Sequence, residues 1–230
     1  LFETFRRVQV SYRGALPDTA LASELQSHTQ ALCIVNTRKH ARGLFESLDA
    51  DGRFHLSTLM CPAHRQQTLR EIRSRLLEAH ACRVVSTQVM EAGIDVDFPV
   101  GYRALAGLDS IIQAAGRVNR EGRRPRSMLH VFEPDSEFVR RAPKFIEQGA
   151  AVARSVLREF EQDPISMGAI AAYFDQVYAL QDPSAFDAKD ILGCFDGQEG
   201  FAFKTAAERF KIIDDNMAAV IVPWDDDAQA

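Results

Sequence analysis

The sequence predicts an α/β protein, in which residues 1–135 form a doubly wound, mostly parallel sheet and residues 136–230 form a mainly helical segment. In the first part, short apolar runs of strand length alternate with segments of helical periodicity, which is typical of β-α-β units. After Pro134 the apolar residues recur mainly at helical spacing. The length of 230 residues allows one domain with an appendage or two small domains.

Strands are expected where short apolar or β-rich runs are bounded by turn residues. These runs cover residues 8–14, 31–36, 55–60, 82–87 and 127–132. The run ALCIVN at 31–36 is continuously apolar, as expected of a parallel strand that is buried on both faces. Asp51-Gly52 supplies the turn before the third run.

Helices are expected between these strands and through most of the second part. Their approximate ranges are 19–30, 37–48, a helix opened by Pro62, a helix capped by Asp109, 143–160, 164–178 and 204–213. Pro62 suits a first helical turn because the N–H that it lacks would have no partner there. A strand-like run, AAVIVPW at 218–224, precedes the acidic end.

Composition excludes a wholly disordered chain and a membrane-spanning helix. Hydrophobic residues make up 46% of the chain, and no apolar run approaches the roughly 18 residues that a bilayer requires. The first ten residues are too charged for a secretory signal and lack an initiator Met, so we expect a piece of a longer protein. The four cysteines lack metal or disulfide spacing, which favours reduced thiols in a cytoplasmic protein and predicts no metal site.

The charge of the chain is unevenly distributed. Residues 1–130 carry 18 Lys+Arg and 13 Asp+Glu, a net charge of +5, whereas the remaining 100 residues have a net charge of −10. This asymmetry indicates that the first part faces an anion, although two solvated surfaces of different composition would also produce it.

The motifs that are missing limit the chemistry. The sequence contains no Gly-Lys dipeptide, which a phosphate-binding P-loop requires, and no Asp-Glu pair after a strand to hold magnesium. It also contains no His-Asp dipeptide of the kind found in metal nucleases. The chain therefore does not carry a complete catalytic site.

Two blocks of sequence carry recognisable chemistry. Residues 84–97, VVSTQVMEAGIDVD, combine a buried strand with a following loop that bears three carboxylates, where ligands bind in doubly wound sheets. Residues 113–120, QAAGRVNR, place Arg117 and Arg120 at i,i+3, on one side of a helix end if the helix continues. The fixed charge and planar donors of arginine suit phosphate oxygens.

Together, these blocks resemble motifs V and VI of the second RecA-like domain of superfamily 2 helicases. More narrowly, residues 86–123 resemble the CRISPR-associated helicase–nuclease family of type I interference systems. Ala114 stands where many superfamily 2 helicases have a further arginine, which leaves Arg117 and Arg120 as the charged positions of motif VI. The resemblance implies a RecA-like fold and ATP with Mg²⁺ as cofactors, both bound mainly by a preceding P-loop lobe.

The resemblance also implies roles at the nucleotide. Arg117 and Arg120 would reach the γ-phosphate of ATP, and Gln113 would couple the nucleotide to the cleft between lobes. Gly93 and Asp95 would lie at the nucleotide edge of motif V. The alternatives are that Asp95 and Asp97 are simply turn carboxylates and that the run from Arg117 to Arg126 is a solvated basic loop.

Further positions resemble the nucleic-acid contacts of the family. They are Asn36 and Thr37 in motif IV, His64 and Arg65 after the third strand-like run, and Thr87 and Gln88 in motif V. Short hydroxyl and amide side chains at strand ends contact phosphate and sugar without reading sequence. Their plain alternatives are a helix N-cap for Asn36-Thr37, solvated first-turn residues for His64 and Arg65, and a strand terminator for Thr87.

The expected function is therefore that of a helicase lobe in CRISPR interference, which would act on single-stranded DNA and be inactive alone. Expected partners are single-stranded DNA, a guide-RNA surveillance complex, and the P-loop and nuclease domains of the same protein, with no membrane. A lobe of another superfamily 2 DNA or RNA helicase, or a non-catalytic RecA-like adaptor, would share the fold.

Overall fold

The computed structural model of the protein describes residues 7–91, 93–135, 138, 144–180, 187–196, 200–210, 220 and 222–224. The chain divides into two compact units, Leu1–Phe174 and Asp175–Ala230. The first unit contains the whole β-sheet, and the second contains a short helix and a 3₁₀ turn among its described residues. The domain boundary predicted at residue 135 stays a prediction.

A parallel sheet of six strands organises the first unit, which confirms the predicted α/β fold. The strands are β1 (Val8–Ala15), β2 (Gln30–Ile34), β3 (Arg53–Leu56), β4 (Cys82–Ser86), β5 (Val100–Ala104) and β6 (Ser127–Glu133). Their order across the sheet is β1-β6-β5-β2-β4-β3, and every neighbouring pair is parallel.

Helices connect the strands and make up most of the described chain after the sheet. They are α1 (Asp18–Ser27), α2 (Arg38–Ser47), α3 (Pro62–Leu77), α4 (Leu108–Ala115), α5 (Lys144–Glu159), α6 (Met167–Ala179) and α7 (Phe203–Arg209). Because β-α-β crossovers are right-handed, the strand order places α1 and α2 on one face and α3 and α4 on the other. The sheet is therefore doubly wound.

The apolar run within β2 is unbroken because the strand is packed on both faces in the core. Cys33 packs with Leu21, Leu25 and Leu44 of the two helices on one face, and all of them are at most 1% exposed. Side chains alternate along a strand, so Leu32 and Ile34, which are also at most 1% exposed, point to the opposite face. The central strand is thus covered on both sides.

Several predicted boundaries change in the structure. The third strand ends at Leu56, and the residues after it form a turn in which the N–H of Met60 donates to the carbonyl of Ser57 at 3.2 Å. The N-cap of α4 is Gly107, so Asp109 lies in the first turn and the prediction that it caps the helix is wrong.

The sequence prediction misses β5, because Gly101 and Arg103 interrupt its apolar pattern. A Cβ at Gly101 would lie 2.6 Å from Cγ2 of Val118 and 2.9 Å from Cδ1 of Leu129, so close packing requires glycine there. Arg103 is fully buried, which composition alone does not predict.

Near the carboxyl end, predictions are only partly covered by the described residues. Residues 211–213 of the predicted helix 204–213 lie outside them, as do residues 218, 219 and 221 of the strand-like run. Val220 and residues 222–224 are described, and they form no strand.

The described residues include no helix long and apolar enough to cross a bilayer. They also bring together no group of His, Cys, Asp and Glu that could hold a metal ion. The four cysteines carry free thiols, and burial raises the pKa of Cys82 to about 12. Buried thiols of this kind are unreactive at neutral pH.

The topology places the carboxyl ends of β2, β4 and β3 side by side. Ile34 of β2 is in register with Ser86 of β4, and Leu56 of β3 is in register with the same residue. The segments that follow these strands therefore leave the sheet at one edge, which is where ligands bind in folds of this class.

Candidate nucleotide and nucleic-acid interface

Asn36 and Thr37 follow β2 and are both engaged in the fold. Thr37 is the N-cap of α2, and its Oγ1 accepts a hydrogen bond from the backbone N–H of His40 at 3.2 Å. The side-chain amide of Asn36 donates to the carbonyl of Leu105 at 2.8 Å, and its Oδ1 accepts from Nη1 of Arg103 at 2.6 Å. The helix-cap interpretation thus applies to Thr37, whereas Asn36 joins two strand ends.

Thr87 and Gln88 follow β4, beside the Asn36 segment. Thr87 is 6% exposed, and its backbone N–H donates to the carbonyl of Leu56 at 3.2 Å. Gln88 begins a 3₁₀ turn, Gln88–Met90, and is half-buried. The strand register brings Asn36, Thr37, Thr87 and Gln88 to one edge of the sheet, as the sequence predicts.

His64 and Arg65 lie in the first turn of α3, after the neighbouring edge strand β3. Both side chains are half-buried, so neither is a fully solvated helix residue. Burial lowers the pKa of His64 below its ordinary value. The imidazole is therefore neutral at pH 7, and Arg65 supplies the fixed positive charge of this turn.

The segment after the 3₁₀ turn, Glu91 with residues 93–97, is called the acidic loop here. Gly93 has a φ of +73°, a left-handed conformation that side chains with a Cβ rarely adopt. Asp95 is exposed, with 78% of its side chain accessible. The loop therefore turns at Gly93 and presents a carboxylate to solvent.

Arg117 holds the acidic loop through its main chain. Nη2 and Nε of Arg117 lie 2.9 and 3.3 Å from the carbonyl oxygen of Glu91, and Nη1 donates to the carbonyl of Ile94 at 2.5 Å. Burial lowers the pKa of Arg117, and the positive charge of Arg120 lowers it further. The guanidinium remains charged at neutral pH and binds both sides of the turn at Gly93.

Arg120 contacts the same loop through side chains. Its Nε lies 2.9 Å from Oδ1 of Asp95, and 45% of the Arg120 side chain is exposed. The backbone N–H of Arg120 donates to Oδ1 of Asp97 at 2.7 Å. Asp95 and Asp97 therefore both contact Arg120 from the acidic loop.

Arg117 and Arg120 would share one side of a helix only if α4 continued to them, and it does not. Helix α4 ends at Ala115, and Gly116 is its C-cap. Asn119 then has a φ of +46°, so the chain turns between the two arginines. They share the acidic loop as a partner, but not a helix face.

Gln113 is separate from this arrangement. It lies on α4 with its side chain exposed. Within the described part of the chain, no hydrogen bond or ion pair joins it to either arginine. Its predicted coupling role therefore stays a prediction.

The sequence prediction gives no role to Arg103 or to the side chain of Glu91, which the structure pairs. Nη2 of Arg103 lies 2.8 Å from Oε1 of Glu91, and the two side chains are 0% and 7% exposed. Burial raises the pKa of Glu91, an effect that Arg103 opposes, and burial lowers the pKa of Arg103. An arginine within the apolar stretch VGYRALAG is the signal that could have indicated a buried partner.

Comparisons with known proteins show which family this segment resembles. Residues 27–123 match the family described as CRISPR-associated nuclease/helicase Cas3, C-terminal. A CRISPR-associated nuclease/helicase Cas3 of Haloferax volcanii is 33% identical over 131 residues, covering 46% of this chain and 14% of that protein. Across three curated Cas3 relatives, the chain covers between 11% and 21% of their length.

Solved structures share the fold over a longer range. The crystal structure of T. fusca Cas3-ATP matches with a TM-score of 0.61 and 18% identity, covering 88% of this chain and 26% of that one. A chain of a CRISPR RNA-guided surveillance complex, pre-nicking, matches with a TM-score of 0.54 and 20% identity, covering 89% and 28%. Both blocks of recognisable chemistry lie within residues 27–123, the segment that is similar to the C-terminal domain family of the CRISPR-associated nuclease/helicase Cas3.

Proposed function

We propose that this chain is the second RecA-like lobe of an ATP-dependent helicase that moves along single-stranded DNA in CRISPR interference. The observation that carries the proposal is the joint attachment of Arg117 and Arg120 to the acidic loop. This places two fixed positive charges beside Gly93 and Asp95, at the residues that resemble motifs V and VI. A phosphoryl group that gains negative charge during transfer is stabilised by such arginines.

The two arginines differ in what they must release to reach a nucleotide. Arg120 is half-exposed and bound to a solvated carboxylate, so a phosphate can replace Asp95 at little cost. Arg117 is bound to two backbone carbonyls and is less exposed. We therefore infer that Arg120 contacts the γ-phosphate most directly, whereas Arg117 also fixes the loop that faces it.

ATP and Mg²⁺ would be held mainly by a P-loop lobe, which this sequence does not contain. In the proposed arrangement the chain is inactive alone, because arginines without a P-loop and a magnesium-binding pair cannot position the γ-phosphate and a water. Gln113 would respond to the nucleotide from α4.

The DNA strand would pass along the edge formed by the segments after β2, β4 and β3. Its contacts would come from Asn36, Thr37, His64, Arg65, Thr87 and Gln88. The proposal includes recruitment by a guide-RNA surveillance complex, and fold likeness to a chain of such a complex supports it. The proposal also includes a nuclease domain in the same protein, and the names of the relatives support it.

The proposal is tested with Arg117→Lys and Arg120→Lys in the full-length protein that joins this chain to a P-loop lobe. Lysine keeps the charge but loses the planar donor geometry. Each variant is expected to lower DNA-stimulated ATP turnover by at least about tenfold, a cautious minimum for arginines of this kind. Binding of single-stranded DNA without nucleotide is expected to stay within about twofold, because these side chains face the nucleotide.

Arg123→Lys is the matched control. Arg123 belongs to the same basic run, is 54% exposed and pairs with its neighbour Glu121, so ATP turnover should stay unchanged. Normal hydrolysis with lost DNA affinity in both test variants would make the arginines a DNA-backbone patch. Absence of DNA-stimulated hydrolysis in the unsubstituted protein would favour a non-catalytic adaptor.

A further inference from the structure

Arg103 on β5 is the largest side chain that is fully buried in the described core. Its Nη1 donates to Oδ1 of Asn36 at 2.6 Å and to the carbonyl of Ala104 at 2.6 Å. Its Nη2 lies 2.8 Å from Oε1 of Glu91. Within the described residues its Nε has no hydrogen-bond partner. The guanidinium thus lies between the end of β2 and the start of the acidic loop.

Glu91 extends this connection to the arginines of the proposed nucleotide site. Its carboxyl pairs with Arg103 and accepts a hydrogen bond from Ser110, while its backbone carbonyl accepts Nη2 of Arg117 at 2.9 Å. A continuous path of polar contacts therefore runs from Asn36 through Arg103 and Glu91 to Arg117. It links a proposed DNA contact to a proposed nucleotide contact.

Stability alone is a weak explanation for this pair. Removing two charges from water is costly, and well-packed apolar residues of similar volume often stabilise a core as well or better. The unpartnered Nε adds to that cost. A buried charge pair of this kind is better explained by the geometry that it fixes, because a short ion pair admits few arrangements.

We propose that Arg103 is a positioning residue that couples DNA binding at the strand ends to Arg117, acting through Asn36 on one side and Glu91 on the other. The inference rests on the proposed function. A DNA strand that contacts Asn36 also shifts the guanidinium of Arg103, which donates to Oδ1 of Asn36. That shift reaches the backbone carbonyl that Arg117 binds. Coupling between sites requires such a physical connection, with both sites biasing one element.

The test uses the double variant Arg103→Met with Glu91→Leu, which replaces the ion pair by apolar side chains of similar volume. Its thermal midpoint is expected to match or exceed that of the unsubstituted protein, as for other buried pairs. Basal ATP turnover of the same variant in the full-length protein is measured alongside, so that stimulation is expressed as the ratio of turnover with DNA to turnover without DNA. The stimulation of that turnover by single-stranded DNA should fall by at least about fivefold, the lower end of ordinary coupling between sites.

Arg83→Met is the matched control. Arg83 is a half-buried arginine on β4 that donates to the carbonyls of His28 and Gln26, at the opposite end of the strands. This variant should keep full DNA stimulation even if its thermal midpoint falls. A loss of stimulation equal to that of the double variant would show a general effect of sheet arginines and would overturn the proposal.

A second variant keeps the proposal testable if the double variant does not fold. Glu91→Asp keeps the charge and the burial but shortens the side chain by one methylene, which separates the carboxylate from Arg103. It should also lower the ratio of DNA-stimulated to basal turnover. Full stimulation in either folded variant would overturn the coupling role. An unsubstituted protein without DNA-stimulated turnover would instead contradict the proposed function, so the two failures are distinguishable.

Discussion

Arg117 and Arg120 are three residues apart in sequence, yet their side chains make different contacts. Arg117 binds the carbonyls of Glu91 and Ile94 through three nitrogens, whereas Arg120 binds an exposed carboxylate. Hydrogen bonds from a charged donor to a partly buried acceptor contribute more to stability than a solvated ion pair. Both residues are arginines, but their contacts differ. Arg117 holds the acidic loop, whereas Arg120 is available to a ligand.

The stability of lysine variants should reveal this difference. Arg117→Lys keeps the charge but can keep only part of the three-nitrogen contact, so we expect a loss of about 1–2 kcal/mol in the free energy of unfolding. Arg120→Lys should cost less than about 0.5 kcal/mol, because exposed pairs contribute little. Urea unfolding measures both free energies, provided that the m-value, the dependence of the unfolding free energy on urea concentration, is the same in each variant. Equal midpoints for the two variants would mean that the backbone contacts of Arg117 do not stabilise the fold.

At the scale of the elements, the edge of the sheet is built from strand ends that pass directly into helices or turns. Thr37 follows β2 and is the N-cap of α2, while Thr87 directly follows β4 and is the N-cap of the 3₁₀ turn. Each residue can satisfy the backbone and still present a hydroxyl to a ligand, since a hydroxyl both donates and accepts. Capping and DNA contact are therefore compatible at Thr37, and a suitable variant separates them.

Thr37→Asp is that variant, because aspartate caps a helix as well as threonine does. We expect its free energy of unfolding to stay within about 0.5 kcal/mol, whereas Thr37→Ala should lose about 1 kcal/mol. If a DNA phosphate lies near Thr37, the added charge should weaken binding by about fourfold, the effect of two unit charges some 5 Å apart in water. Thermal unfolding and titration with labelled single-stranded DNA measure the two effects.

Thr37→Ser is the control and should keep both stability and affinity. Unchanged DNA affinity in the aspartate variant would assign Thr37 to the helix cap alone. The same result would move the DNA path away from the end of β2 and towards His64 and Arg65.

The strands also show which parts of the fold the sequence could predict. Periodicity predicted the sheet, because strands such as β2 are buried on both faces and their composition is uniform. It missed β5, where Gly101 is required by packing against Val118 and Arg103 by an ion pair with Glu91. Both requirements come from residues distant in sequence, so local pattern cannot reveal them.

The residues of the candidate site were also predictable only in part. The resemblance to motifs V and VI pointed to Gly93, Asp95, Arg117 and Arg120, and the structure brings these residues together. The path from Asn36 to Glu91 was not predictable, because it passes through a strand that the sequence did not reveal. The sequence left the end of α4 open, because the turn at Asn119 after it involves contacts with the segment before β1.

At the scale of the whole molecule, charge and missing motifs define what the chain does by itself. Residues 1–130 have a net charge of +5, and the following 100 residues have a net charge of −10. The basic part would attract DNA, and the acidic part would repel it. A chain that supplies only one lobe offers half of the strand path and no P-loop, so its isolated behaviour should differ sharply from that of a two-lobed enzyme.

The isolated chain should therefore release no phosphate from ATP above background, with or without single-stranded DNA. It should bind DNA weakly, with affinity that falls as salt rises, because such binding comes from release of counterions. Phosphate release and fluorescence anisotropy at several salt concentrations measure both properties. Addition of a P-loop lobe should restore DNA-stimulated hydrolysis only if Arg120 is intact, which makes Arg120→Lys the internal control. Steady turnover by the chain alone would show that it carries a catalytic site that its motifs do not predict, and tight binding at physiological salt would place the whole strand path on this lobe.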